Sequence, residues 1–198
     1  MDLLTESQSR VVEHACCPRL PAGDLWVFGY GSLMWDPGFE YVRSQRAMLR
    51  GYHRAFCVTS TRYRGTPERP GLVLGLDRGG CCRGMAFLVA DAHVESVLQT
   101  LWDREMPRRV YSPRVVKLDL GDEKVSALTF VADRAHEAYT GALELEAVAR
   151  TIADCSGARG PNADYLFNTL RHLDDLGIRE RRLDALRTAV QALQCPRR

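Results

Sequence analysis

Leu25-Trp26-Val27-Phe28-Gly29-Tyr30-Gly31-Ser32-Leu33-Met34-Trp35 carries an unbroken apolar run into a Gly-x-Gly-Ser turn. Contiguous apolar residues predict a short strand buried on both faces, because a half-exposed strand would alternate. The glycines end that strand sharply. Their freedom at positive φ would let successive backbone N–H groups converge on one point, a nest suited to a carboxylate or a developing oxyanion. A plain tight turn accounts for the same residues equally well. The run is not a dinucleotide fingerprint: Met34 occupies the third glycine position, Asp36-Pro37-Gly38 interrupts the required helix, and no βαβ unit follows. Nor is it a P-loop, since no Gly-Lys-Ser/Thr is present.

Further strands are expected at Ala55–Ser60, Leu72–Leu76, Arg83–Val89, Arg114–Leu118 and Val125–Val131. Arg64-Gly65-Thr66-Pro67, Asp77-Arg78-Gly79-Gly80 and Gly121-Asp122 read as the turns between them. A helix capped by Asp91 is inserted before the fifth of these six strands, with Val94, Leu98 and Leu101 as its apolar stripe and Pro107 as its stop. The final third changes period, and Leu143–Asp154, Asn162–Leu176 and Arg182–Leu193 read as amphipathic helices. Strands first and helices last is the pattern of an α+β fold. Six short strands are enough to close a barrel, but periodicity alone does not decide closure. Residues 1–22 read as a lead-in with a short helix from Thr5 or Ser7 to near Pro18, and 23–195 as one domain.

One side chain breaks the helical pattern. The stripe 94, 98, 101 leads next to 105, where an apolar residue is due and Glu105 stands instead. Asp103 lies about 200° from Leu101, at about 100° per residue, and is expected to face solvent. Glu105 also falls in the last turn, where the helix dipole disfavours a carboxylate. A frayed helix end carrying an ordinary surface acid is the competing explanation, and the helix by itself favours it.

Other candidate chemistry is weaker. There is no Gly-x-Ser-x-Gly elbow for a serine hydrolase. Cys57 near His53 fits a core thiol better than a nucleophile, and His53, His136 and His172 lack a ligand-spaced partner. Tyr111 and Tyr139 are candidate hydroxyl donors that burial also explains, and Trp26, Trp35 and Trp102 read as core or pocket wall. The seven cysteines include the adjacent pairs Cys16-Cys17 and Cys81-Cys82, which suit neither a disulfide framework nor a zinc quartet. Free thiols in a reducing, cytoplasmic setting are the expectation.

Composition limits the partners. The 198 residues carry 27 basic and 25 acidic side chains, a net charge of +2, so nucleic acid and anionic membrane are not expected partners. Arg104, Arg108 and Arg109, and likewise Arg179, Arg181 and Arg182, read as solvated faces. No run approaches the roughly 20 apolar residues of a membrane helix. The first twenty residues lack the apolar core of a secretory signal. No obligate protein partner is evident.

Taken together, several motifs resemble the ChaC-like γ-glutamylcyclotransferases. They are Trp26–Trp35, Arg50-Gly51-Tyr52-His53-Arg54-Ala55-Phe56-Cys57, Arg64-Gly65-Thr66-Pro67, Leu101-Trp102-Asp103-Arg104-Glu105-Met106 and Gly160-Pro161-Asn162-Ala163-Asp164-Tyr165-Leu166. They occur in order across roughly residues 25 to 190. The resemblance implies a small β-barrel with flanking helices and no cofactor, and the Cys and His spacing gives no reason to expect a metal. It implies glutathione as substrate, released as 5-oxoproline and cysteinylglycine. It assigns catalysis to Glu105 and substrate binding to Val27, Phe28, Gly29, Tyr30, Gly31, Ser32 and Leu33; Tyr111 and Tyr139 stay candidate accessory hydroxyls on their residue type alone. Specificity for other γ-glutamyl dipeptides or amines, and a non-catalytic γ-glutamyl-binding module, are the alternatives. Some members carry Gly-Gly-Tyr shortly after the glutamate, where this chain has Pro107-Arg108-Arg109-Val110-Tyr111.

Overall fold

The computed structural model describes residues 18–195, so the short helix expected between Thr5 and Pro18 lies outside the described residues. Five strands form a closed barrel in the order β1-β3-β2-β4-β5. They are β1 (Leu25–Gly29), β2 (Arg43–Ser60), β3 (Gly71–Val89), β4 (Tyr111–Asp119) and β5 (Lys124–Ala132). Neighbours are antiparallel except β1 and β5, whose parallel pairing of Trp26 with Ala127 and Val27 with Leu128 closes the ring. Helix α1 (Val94–Glu105) sits between β3 and β4. Helices α2 (Leu145–Asp154), α3 (Asn162–Asp175) and α4 (Arg181–Gln194) follow the barrel. A two-residue hairpin, Ser156–Gly157 against Gly160–Pro161, joins α2 to α3.

β1 is buried at every residue, as its contiguous apolar run predicts. Its side chains alternate between two cores. Trp26 and Phe28 pack with Leu72, Leu74 and Leu76 of β3 and with Leu166, Leu170 and Leu186 of the later helices. Leu25 and Val27 pack with Val97, Leu98 and Leu101 of α1. This strand therefore lies between α1 and the C-terminal helices, and its end cannot move without disturbing both layers.

Two expectations about the strands need correction. Leu72–Leu76 and Arg83–Val89 are halves of one continuous strand, and Asp77-Arg78-Gly79-Gly80 is a bend within it, not a turn. Gly79 and Gly80 take φ of 98° and 71°, opposite Gly51 at 86°, so the glycines supply a bulge that curves the long β2–β3 pair around the barrel. β2 also begins at Arg43, twelve residues before the apolar run Ala55–Ser60 that marks it in sequence. In this early half, buried Ala47 and Leu49 alternate with exposed or half-exposed Arg46, Met48 and Arg50, a half-solvated strand that a search for contiguous apolar residues passes over. Asp91 does not cap α1. Asp91–His93 form a 3-10 turn, and the Asp24 carboxylate accepts the Asp91 amide at 3.0 Å.

Asn162 fastens α3 to the barrel. It is fully buried, its Nδ2 donates to the Leu72 carbonyl at 2.8 Å, and its Oδ1 accepts the Leu72 amide at 2.7 Å. Removing that amide strands two buried backbone groups of β3. We expect Asn162→Ala to lose about 3 kcal/mol in urea unfolding, the scale of two unmade buried hydrogen bonds. A loss below about 1 kcal/mol would mean that the strand finds other partners.

Candidate active site

The side chain that breaks the helical pattern ends up largely covered. Glu105 is the last residue of α1, with its side chain 17% exposed, while Asp103 is exposed as its angle predicts. The frayed surface acid is thereby excluded. Burial raises the Glu105 pKa above its ordinary 4.5, and the Arg104 guanidinium, with Nε 3.4 Å from Glu105 Oε1, opposes that rise only in part. A carboxyl that costs energy to ionise but keeps a path to solvent is a proton carrier in waiting.

Arg104 also locks this helix end to the glycine turn. Its Nη2 donates to Ser32 Oγ at 2.9 Å and its Nη1 to the Asp36 carbonyl at 2.7 Å. One arginine thus holds the carboxylate of Glu105 and the hydroxyl of Ser32 in a common frame. In the turn, Ser32–Met34 form a single 3-10 turn entered from Gly31 at φ −125° and ψ −133°. Neither Gly29 nor Gly31 adopts positive φ, contrary to expectation. Gly29 is required for space, since a Cβ there would lie 2.9 Å from Leu33 Cβ, whereas one on Gly31 would make only ordinary contact with the Tyr165 hydroxyl at 3.9 Å. The carbonyls of Gly31 and Ser32 accept the amides of Met34 and Trp35. The amides of Gly31, Ser32 and Leu33 donate to no acceptor among the described residues. Three adjacent N–H groups without an acceptor among the described residues leave donors open to a ligand oxygen.

Three phenols share this environment. Tyr30, Tyr111 and Tyr165 all have raised pKa values, first through burial and further through the charge of Glu105; Tyr165 is pushed up to about 12. All three are neutral hydrogen-bond donors at physiological pH. The Tyr111 hydroxyl donates to the Leu74 carbonyl at 2.9 Å, and the Tyr165 hydroxyl lies against the same stretch of β3 backbone. The Arg64 guanidinium stands over the Tyr165 ring, 5.5 Å from its centroid. Cys57 is buried beside them, its thiol raised to about 12 mainly by burial, which makes it inert packing and not a nucleophile.

The sequence-derived residues do not all converge. Glu105, Tyr30, Gly31, Ser32 and Tyr111 are brought together. The side chains of Val27 and Leu33 are buried under α1, and Phe28 is buried toward the C-terminal helices, so these three shape the turn from beneath. Tyr139 is engaged elsewhere: its hydroxyl donates to Asp77 Oδ2 at 2.9 Å, and Arg134 stacks over its ring. Tyr165 joins the site instead, from α3. Its motif was legible in the sequence, but on an amphipathic helix an aromatic residue next to the buried stripe looks like packing. Two surface clefts, of about 220 and 400 Å³, both bordered by Tyr52, are lined by none of Glu105, Tyr30, Gly31, Ser32, Tyr111 and Tyr165. They offer volume without Glu105 or the amides of the glycine turn.

The loop after Glu105 has an informative backbone. Arg109 takes φ 51°, the left-handed conformation that glycine adopts freely. The basic loop therefore follows a path for which glycine is the natural residue, and Tyr111 still reaches the site.

Among the described residues no group of His, Cys, Asp and Glu is arranged to hold a metal ion, and no helix is long and apolar enough to cross a membrane. A family model described as ChaC-like protein matches residues 25–193. A glutathione-specific γ-glutamylcyclotransferase of Escherichia coli is 40% identical over 180 residues, covering 90% of this chain and 77% of its own length. Glutathione-specific γ-glutamylcyclotransferase 1 of Mus musculus is 35% identical over 176 residues, covering 85% and 79%. The crystal structure of a γ-glutamylcyclotransferase specific to glutathione from yeast superposes with a TM-score of 0.77 at 22% identity, covering 86% of this chain and 96% of that one, which establishes a common fold.

Proposed function

This chain belongs to the ChaC-like family, and from that membership we propose that it is a glutathione-specific γ-glutamylcyclotransferase with Glu105 as its acid/base. The observation that carries the residue assignment is the desolvated Glu105 carboxyl, tied through Arg104 to a turn with three unclaimed amides. The cytosol is the proposed setting. The free thiols, with Cys81 beside Cys82, support a reducing compartment.

The reaction needs little beyond these parts. A γ-glutamyl group carries its own nucleophile, the α-amine, separated by three carbons from its γ-carbonyl carbon, so attack closes a five-membered ring. Holding the group bent makes closure unimolecular, an advantage of about 7 kcal/mol or more in well-oriented cases. The amine is protonated at neutral pH, so Glu105 first removes a proton. The amine lone pair then forms the ring C–N bond, and the carbonyl oxygen becomes an oxyanion facing the amides of Gly31, Ser32 and Leu33. As the amide bond to cysteine breaks, Glu105 returns its proton to the departing nitrogen. It then takes the second proton from the ring nitrogen and passes it to the freed amine, so that a neutral lactam and an ammonium-bearing cysteinylglycine result. 5-Oxoproline and cysteinylglycine leave, and Glu105 is again ionised. The neutral phenols of Tyr30 and Tyr165 can donate hydrogen bonds without adding charge, which suits recognition of a substrate carboxylate beside Glu105, while the Tyr111 hydroxyl is held by the Leu74 carbonyl.

Incubating the purified protein with glutathione and quantifying 5-oxoproline and cysteinylglycine tests the reading. Equimolar release supports it, and intact glutathione refutes it. A pH profile adds a second test. The productive form has Glu105 ionised, so kcat/KM falls as pH drops through the raised pKa of that carboxyl. The acid limb is expected above pH 4.5, the ordinary value for a glutamate. A limb at or below that value would contradict the role of Glu105.

A further inference from the structure

Arg54 sits in β2 with its side chain fully buried and meets the Glu105 cluster only from behind, through the backbone of its glycine turn. Every arm of its guanidinium is engaged. Nε donates to the Tyr30 carbonyl at 2.5 Å, and Nη2 donates to the Arg83 carbonyl at 2.6 Å and lies 3.7 Å from Met34 Sδ. Nη1 pairs with the Glu180 carboxylate, on the residue that precedes α4. Glu180 alone would neutralise the charge. The remaining arms reach Tyr30 and Met34, one on each side of the Gly31-Ser32 turn, and the β3 backbone beside it.

The contact with Tyr30 has a geometric consequence. The Tyr30 carbonyl and the Gly31 N–H belong to one planar trans peptide, so they point in opposite directions as a rigid unit. Anchoring the oxygen on a buried cation fixes the direction of the Gly31 N–H and polarises that peptide toward a stronger donor. Glu180 in turn fixes the guanidinium, which a lone buried cation could not sustain. We propose that Arg54, braced by Glu180, is a positioning residue that aims the Gly31 amide at the reacting carbonyl. This rests on the reading that the glycine turn receives the oxyanion. It gives Glu180, at the start of α4, a part in catalysis although its side chain lies outside the Glu105 cluster.

The test combines kinetics with a readout that does not depend on activity. In Arg54→Lys the ammonium keeps the charge opposite Glu180 but lacks the fork that reaches Tyr30 and Arg83 together. The expected result is a folded enzyme whose kcat falls about tenfold to 100-fold, the scale of a weakened oxyanion donor, with KM within about threefold. The acid limb of its pH profile stays in place, because Glu105 is untouched. The 1H–15N resonance of the Gly31 amide in the ligand-free protein is expected to shift. Should Arg54→Lys fail to fold, Glu180→Gln retains the guanidinium and loosens its brace; it is expected to move the same resonance and lower kcat about threefold to tenfold. An unmoved Gly31 resonance in the folded variant, or wild-type kcat, overturns the proposal. If the wild-type protein releases no 5-oxoproline, the proposed function falls, and the Gly31 resonance still decides whether Arg54 sets that amide.

Discussion

Glu105→Gln is expected to fold, to bind glutathione and to lose turnover by about 100-fold or more, the ordinary cost of deleting a positioned acid/base. The amide is nearly isosteric with the carboxyl but neither accepts the α-amine proton nor returns one to the leaving nitrogen. The same substitution should act on stability in the opposite direction. Burial raises the Glu105 pKa in the folded state, so the folded protein binds the proton more tightly than the unfolded chain. That contribution is fully present below the unfolded pKa of about 4.5 and is lost as pH rises through the folded pKa. At neutral pH the wild type therefore bears the cost of a desolvated charge, and Glu105→Gln, which has none, is expected to unfold at higher denaturant. Near-native turnover would remove Glu105 from the mechanism. A variant that is both inactive and destabilised at neutral pH would make it a structural acid instead.

Gly84→Ala is expected to be among the most damaging substitutions that add a single methyl group. A Cβ at this position of β3 would lie 2.3 Å from the Gly29 carbonyl oxygen and 2.8 Å from two ring carbons of Phe28. Neither neighbour can yield. Gly29 is paired with Met85 at the end of β1, Phe28 is fully buried, and the Phe28 carbonyl accepts Thr129 Oγ1 at 3.0 Å. The displaced element would be the strand end that carries the glycine turn, next to the Arg83 carbonyl held by Arg54. A loss of about 3 kcal/mol, at the upper end for overpacking, is expected in chemical denaturation, with reduced turnover in whatever remains folded. Gly79→Ala is the control. A Cβ there meets nothing within 4 Å, and only the strain of φ 98° opposes it, so about 1–2 kcal/mol is expected. Equal losses in the two variants would mean that β1 and β3 can separate at this point without cost.

The two results bear on how much of the molecule could be read from its residues. β1 was legible because burial on both faces leaves an unbroken apolar run, and the C-terminal helices because their stripes are regular. The early half of β2 was not, since its solvated face alternates arginine with small or apolar residues and resembles a loop. The Asp77–Gly80 segment was misread for a different reason. A bulge in a curved strand and a reverse turn call for the same glycines at positive φ, and only the partner strand tells them apart. Glu105 was visible as a violation of its own helix. Tyr165 and Arg54 were not, because neither violates anything locally: a tyrosine beside a helical stripe and an arginine in a strand acquire meaning only when a distant segment arrives, Gly31 for one and Glu180 for the other. The resemblance motifs contained both residues without distinguishing them from packing.

The central claim concerns one carboxyl group, and a titration reads it directly. Glu105 Cδ can be followed by 13C NMR between acid and neutral pH, with 5-oxoproline release from glutathione measured over the same range. A single Glu105 midpoint displaced above 4.5, coinciding with the acid limb of kcat/KM, is the predicted outcome. A Glu105 that titrates as an ordinary exposed glutamate, with the activity limb elsewhere, would contradict the account.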